Sequence, residues 1–241
     1  MARSVWVAMV GAAVLAWVAA APLPWPARAF VVLVLVVLPV LGVGQAVALG
    51  GEVTALPRLA VYVSSALGLW GLAGGALLAA GWSGMAPAQL GLVMPGVGAF
   101  VGWGVGVAVA ALAVAAAGRA LGLRESRWVV ELLPRTRSER AAFVGLAFSA
   151  GVGEELVFRG FLIPALGVAT GSVALAAVMS AAVFGLLHAY QGAAGVVRAG
   201  VLGGLMAVPF LATGSVLPSM LGHFAYDVVA GLWLADWLLR R

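Results

Sequence analysis

The chain contains no cysteine and no lysine, only two histidines, and charged residues at just 9% of its 241 positions. Without cysteine, a disulfide-stapled extracellular scaffold and a cysteine nucleophile are both excluded. The scarcity of charge excludes a water-soluble globule, since about a quarter of an ordinary soluble domain is charged. Hydrophobic residues make up 64% of the chain, which also excludes intrinsic disorder. What is present therefore reads as an all-α, polytopic bundle of membrane helices. Thirteen arginines against eight acids give a net charge of +5. In a membrane protein that excess is expected to face anionic lipid at the inner leaflet, with no role for nucleic acid.

Apolar stretches of about 17–25 residues are the length that crosses the hydrocarbon core as a helix. Eight such stretches are expected: Val5–Ala21, Ala29–Leu49, Leu59–Ala80, Val97–Ala117, Ala141–Ala165, Ser172–Tyr190, Ala193–Ala212 and Val216–Leu239. The breaks are Pro22, Pro24 and Pro26, then Gly50–Gly51 with Pro57, and later Gly167 and Gly171. Residues 81–96, with Pro87 and Pro95, read as a loop or a short interfacial piece. A single membrane domain is expected over 1–241: four spans in 1–117, a basic amphipathic cytoplasmic segment in 118–140, and four further spans in 141–241. With the N-terminus inside, eleven arginines fall in cytoplasmic segments and only Arg28 in an outer loop. This bias predicts an N-in, C-in topology in the cell membrane. An alternative reading of the first span, as a signal peptide, leaves the rest unchanged. The small-residue pairs Gly71/Gly75, Gly98/Gly102, Gly102/Gly106 and Gly200/Gly204 are expected to let helices approach closely.

Among the ionisable residues inside the expected spans, six stand out: Glu154, Glu155, Arg159, His188, His223 and Asp227. A charge at mid-membrane costs about 2.5–3.5 kcal/mol on insertion scales, so an intramembrane group is a functional candidate by default. Residues four apart on a helix share a face, which pairs Glu155 with Arg159. Glu154 is turned about 100° away, toward the face of Phe158 and Phe161, and is left free as a base. His223 and Asp227 are again four apart, so the carboxylate can orient the imidazole or share a polar pocket with it. Phe184 sits beside His188 by the same spacing. Three chemistries use such a set. A zinc ion would accept His188, His223 and Glu154 or Asp227, although the His-Glu-x-x-His pattern is absent. A glutamate–histidine pair would activate water with no cofactor, the second histidine stabilising an oxyanion. A proton-coupled carrier would use the same groups as a relay.

The run Gly153-Glu-Glu-Leu-Val-Phe-Arg-Gly160 resembles the EExxxR motif of the CAAX-protease and bacteriocin-processing family of intramembrane glutamic endopeptidases. Phe184–His188 resembles the family's FxxxH motif, and His223 with Asp227 its third motif, a histidine four before an asparagine or aspartate. The resemblance extends from about Glu139 onward. It implies hydrolysis of a peptide bond in a peptide or protein substrate at the membrane; zinc is an open alternative, and no metal is the favoured expectation. By resemblance, Glu154 is the general base and acts with His188 on a water. His223 and Asp227 line the oxyanion site, while Glu155, Arg159 and Phe184 support the pocket. The family's prenyl proteases tend to have asparagine where this chain has Asp227, and an ionised aspartate cannot donate to an oxyanion. A non-catalytic scaffold or immunity-type member of the same fold is the alternative. The expected boundaries also leave His188 near the inner end of its span and His223 nearer the outer end of its own, which a tilted or shortened helix must reconcile.

Overall fold

The computed structural model describes residues 3–48, 57–123 and 126–234. The Gly50–Gly51 break, Arg124, Arg240, Arg241 and the end of the eighth expected span fall outside them. The described residues are helices and connecting turns, with no strand among them. Helix α1 is Arg3–Ala19; α2 runs through Trp25–Val32, Leu33–Val37 and Leu38–Ala48; α3 is Arg58–Trp82 and α4 is Val97–Ala120. A five-residue α5, Arg127–Glu131, precedes α6, which runs through Arg137–Glu155, Leu156–Leu162 and Ile163–Thr170. The chain ends in α7 (Val173–Leu187), α8 (Gly192–Thr213) and α9 (Leu217–Leu232).

Each of the eight expected stretches contains a helix, but their lengths differ. Five are long and apolar enough to cross a membrane: Trp25–Val47, Arg58–Trp82, Val97–Ala120, Arg137–Thr170 and Ala189–Thr213. Val7–Ala19 and Val173–Leu187 are shorter apolar helices, and α9 has 16 residues. Among the described residues, length alone therefore supports five spans where eight were expected across the chain. Much of the outer surface is apolar, with Leu15, Leu67, Leu78, Val109 and Val178 all exposed, as a lipid-facing surface requires. The most apolar window of α6 is 50% buried against 22% in α3 and α4, which makes α6 the bundle's central rod.

Two helices widen into π turns, and both do so just before a proline. Pro39 and Pro164 have no N–H to return to the preceding turn. One residue before each, the backbone bonds five residues back, Leu38 to the carbonyl of Leu33 and Ile163 to that of Phe158. The Phe158 carbonyl also accepts from the Ser180 hydroxyl of α7 at 2.9 Å. The wider turn in α6 begins directly after Glu155. It also shifts the register: Phe158 lines the main cavity, but Phe161 packs on Phe30 instead (ring centroids 5.0 Å apart). The expectation that Glu154 shares one face with both phenylalanines fails for Phe161 for that reason.

The amphipathic helix expected within 118–140 is only the five residues of α5, capped by the Ser126 hydroxyl, which accepts from the Val129 N–H. Pro134 stops its continuation. The segment is tied to α3: Arg58 donates to the Glu131 carboxylate at 3.1 Å and to its carbonyl at 2.6 Å, and the Tyr62 hydroxyl donates to the Leu132 carbonyl. Then α6 starts in a capping box, Thr136 accepting from the Glu139 N–H while Glu139 accepts from the Thr136 N–H.

Only some of the expected glycines sit at close contacts: a Cβ on Gly75 would lie 3.0 Å from the Phe30 ring, and one on Gly185 would lie 3.1 Å from Gly200. Gly98, Gly102 and Gly106 have no neighbouring atom within 4 Å of an added Cβ. Helices α4 and α9 meet instead at Gly104 and Gly222, where a Cβ on Gly222 would lie 2.2 Å from Val107 Cγ1 and 2.8 Å from the Gly104 carbonyl. Gly222→Ala is expected to cost about 1–3 kcal/mol through overpacking. It should also displace His223, the next residue. A lowered unfolding midpoint in mild detergent, against an unchanged midpoint for Gly102→Ala, checks this.

Candidate active site

The main cavity, about 590 Å³, is enclosed by α3, the α5 segment, α6, α7, α8 and α9. Glu154, Phe184, His188, His223 and Asp227 all line it. Val129, Leu132 and Leu133 of the basic segment line it as well, so that segment is folded over the cavity.

The two histidines line one cavity, and both sit on short helices. At 15 and 16 residues, α7 and α9 are about 22–24 Å long, less than the roughly 30 Å hydrocarbon core. His188 caps the C-terminus of α7, while His223 lies in the second turn of α9. The start of α9 is held by Val216 N–H donating to the Gly91 carbonyl and by Ser215 donating to the Val93 carbonyl at 2.7 Å. Gly91 has φ 69°, and a Cβ there would lie 2.7 Å from the Phe210 ring, so the loop from α3 fixes where α9 begins. The Phe184 ring then lies 4.8 Å from His188 and 6.3 Å from His223, centroid to centroid.

Arg159 and Glu155 form the pair expected from their spacing. The guanidinium donates to Glu155 Oε1 at 2.8 Å and, through its other terminal nitrogen, to the Gly203 carbonyl of α8 at 2.6 Å. It also stacks over Phe184, 4.9 Å from the ring centroid. Both side chains are fully enclosed, at 1% and 0% exposure. One arginine thus ties α6 to α7 and α8.

Of the two arrangements expected, His223 shares a polar pocket with Asp227 and is held by another carboxylate. Its Nδ1 meets Glu155 Oε1 at 2.7 Å, whereas Asp227 Oδ2 lies 3.6 Å from Nε2. That second distance exceeds a hydrogen bond. Glu155 is therefore the carboxylate that fixes the ring, and Asp227 stands beside it on the cavity wall. A carboxylate that accepts from Arg159 accepts from His223 too, so Nδ1 carries the proton and Nε2 faces Glu154 Oε2 at 3.8 Å. His188 is assigned by the same logic. Its Nδ1 lies 2.8 Å from the Phe184 carbonyl, which only accepts, so Nδ1 donates and Nε2 of the neutral ring keeps its lone pair. Glu154 keeps its side chain 18% exposed to the cavity, while Glu155 has none exposed.

Among the described residues, no group of three or more His, Asp or Glu side chains is arranged to hold a metal ion. Sequence reasoning missed the Gly203 carbonyl, which carries no side-chain signal. It also missed Tyr190, Gln191, Arg198 and Tyr226 on the cavity wall.

The fold and site define a multi-helix membrane protein with a buried arginine–glutamate–histidine cluster beneath an accessible glutamate. Residues 136–229 match the family described as type II CAAX prenyl endopeptidase Rce1-like. This Rce1-like stretch contains all three motifs. No curated protein and no solved structure matches the chain.

Proposed function

We propose that the protein is an intramembrane endopeptidase that hydrolyses a peptide bond with a water activated by Glu154 and His188. The observation that carries this reading is Glu154 itself: an accessible carboxylate beside one imidazole, in a cavity whose wall holds a second. Water placed between Glu154 and the free Nε2 of His188 loses a proton to Glu154 as its oxygen attacks the scissile carbonyl carbon. The tetrahedral oxyanion forms on the side of His223, whose Nε2–H donates to it in the imidazolium form. The C–N bond then breaks, and the proton held by Glu154 passes to the leaving nitrogen. Asp227 lines that side without donating. Glu155 and Arg159 position His223 and do not touch substrate, while Phe184 supports the pocket from its wall. The apolar wall suits an apolar peptide segment of a membrane-associated substrate reached from the cytoplasmic side, with both chain ends inside the cell.

His188→Ala is expected to slow cleavage about 10²-fold or more, the span of a positioned acid–base group. Purified protein in vesicles, assayed on quenched-fluorescent membrane-anchored peptides, gives the rate. A zinc chelator is expected to leave it unchanged. A wild-type rate in His188→Ala, or chelator inhibition reversed by zinc, contradicts the assignment.

A further inference from the structure

The segment from α5 to Leu133 covers one end of the main cavity, where Val129, Leu132 and Leu133 form part of the wall. One side of it is anchored on α6, since Glu139 Oε2 accepts from the Arg135 N–H at 2.7 Å and from the Thr136 N–H at 3.0 Å. From there the segment reaches across to pack on the Ala189–Gln191 turn, directly after His188. No residue of α5 is buried. The bonds that hold the segment down gather at Glu131. Its carboxylate accepts from Arg58 of α3 at 3.1 Å and from Arg135 at 3.0 Å, with the Glu131 side chain 35% exposed and that of Arg135 59%. Arg58 donates to the Glu131 carbonyl at 2.6 Å as well, and the Tyr62 hydroxyl donates to the Leu132 carbonyl. Tyr62 is a fixed post: it is buried, and its ring meets that of Phe143 edge-on with centroids 5.7 Å apart. Ion pairs with this much exposure are weak, and a segment with no buried residue opens locally at low cost.

We propose that residues 127–133 are a lid on the main cavity, latched by Glu131 to Arg58 and by Leu132 to Tyr62, which lifts about the start of α6 to admit substrate. Closed, its apolar residues Val129, Leu132 and Leu133 complete the wall and keep bulk water from the cavity that Glu154 and His188 line. Open, it uncovers the cavity between the start of α3 and the turn before α8. Lid motion of this kind sets how fast substrate enters and product leaves. That a peptide is what enters rests on the peptidase reading; the lid itself does not.

The chain has no cysteine, so an introduced pair carries the only labels. Spin labels at Arg127→Cys on the lid and Leu67→Cys on the exposed face of α3 report the lid's position by electron–electron double resonance in vesicles. Two distances are expected, and Glu131→Gln should raise the ratio of open to closed about two- to fivefold, the worth of one partly exposed ion pair. In a second arm, Tyr62→Cys and Leu132→Cys are joined by a short bismaleimide, which replaces the latch with a covalent one across the gap that the Tyr62 side chain already spans. Joining is expected to slow cleavage of a membrane-anchored peptide about tenfold or more against the same protein left unjoined. A single distance that Glu131→Gln leaves unchanged overturns the proposal, as does equal cleavage with the lid joined and unjoined. Should nothing be cleaved, by wild type included, the peptidase reading fails while the spin-label distances still decide the lid.

Discussion

Arg159→Ala destabilises the protein by about 3–5 kcal/mol, the cost of leaving one partner of a buried ion pair alone. The size of the effect follows from what Arg159 holds. Glu155 is wholly enclosed, and its second oxygen, Oε2, already has no hydrogen-bond partner among the described residues. Removing the guanidinium strands a carboxylate with only His223 to answer it, and it also frees the Gly203 carbonyl. Lysine should not rescue, because one ammonium cannot reproduce two donors in a planar fork. Arg159→Ala combined with Glu155→Gln should recover part of the loss, since a neutral amide is cheaper to bury than a lone carboxylate. Denaturant titration in mild detergent measures all three. A loss below about 1 kcal/mol, the range of an exposed ion pair, would show that the pair is not the strut described.

Glu154→Gln is expected to lower the cleavage rate about 10²–10⁴-fold, the contribution of a general base. Its unfolding midpoint should shift by no more than about 0.5 kcal/mol, as for residues outside the packed core. The two effects separate because Glu154 and Glu155, though adjacent, occupy opposite situations. Glu155 is fixed by a guanidinium and an imidazole at 2.8 and 2.7 Å. Glu154 faces the cavity, and its 3.8 Å approach to His223 is too long to be a hydrogen bond. An amide at 154 therefore breaks no bond that holds the fold, but it cannot take a proton from water. Glu155→Gln should show the reverse balance, with stability falling first.

The sequence made some of this arrangement legible through helical periodicity. The Glu155–Arg159 pair follows from a spacing of four, and so does the contact of Phe184 with His188. Membrane character followed from composition, and the resemblance to the family from three motifs in order. Periodicity fails where the helix is not regular. The π turn before Pro164 turns Phe161 out of the cavity, which a count of 3.6 residues per turn cannot anticipate. It is equally silent on contacts between helices. Asp227 is in the right place along α9 to orient His223, but Glu155 is nearer because α6 and α9 pack closely at Gly151, where an added Cβ would lie 2.9 Å from the Phe224 nitrogen. The same limit explains the glycines: Gly98 and Gly102 have the small-residue spacing, while Gly104 and Gly222 have the partner. Helix length was overestimated for the sixth expected span, since apolar residues continue past the helix end at His188.

The central claim is that Glu154 drives cleavage of peptide bonds in membrane-associated substrates. Comparative proteomics of membrane-associated peptides, from cells carrying wild type or Glu154→Gln at matched levels, tests it most directly. The expected result is a set of cleaved fragments present only with wild type, each matched by an uncleaved precursor that accumulates with Glu154→Gln. Identical fragments and precursors in the two samples would contradict the claim.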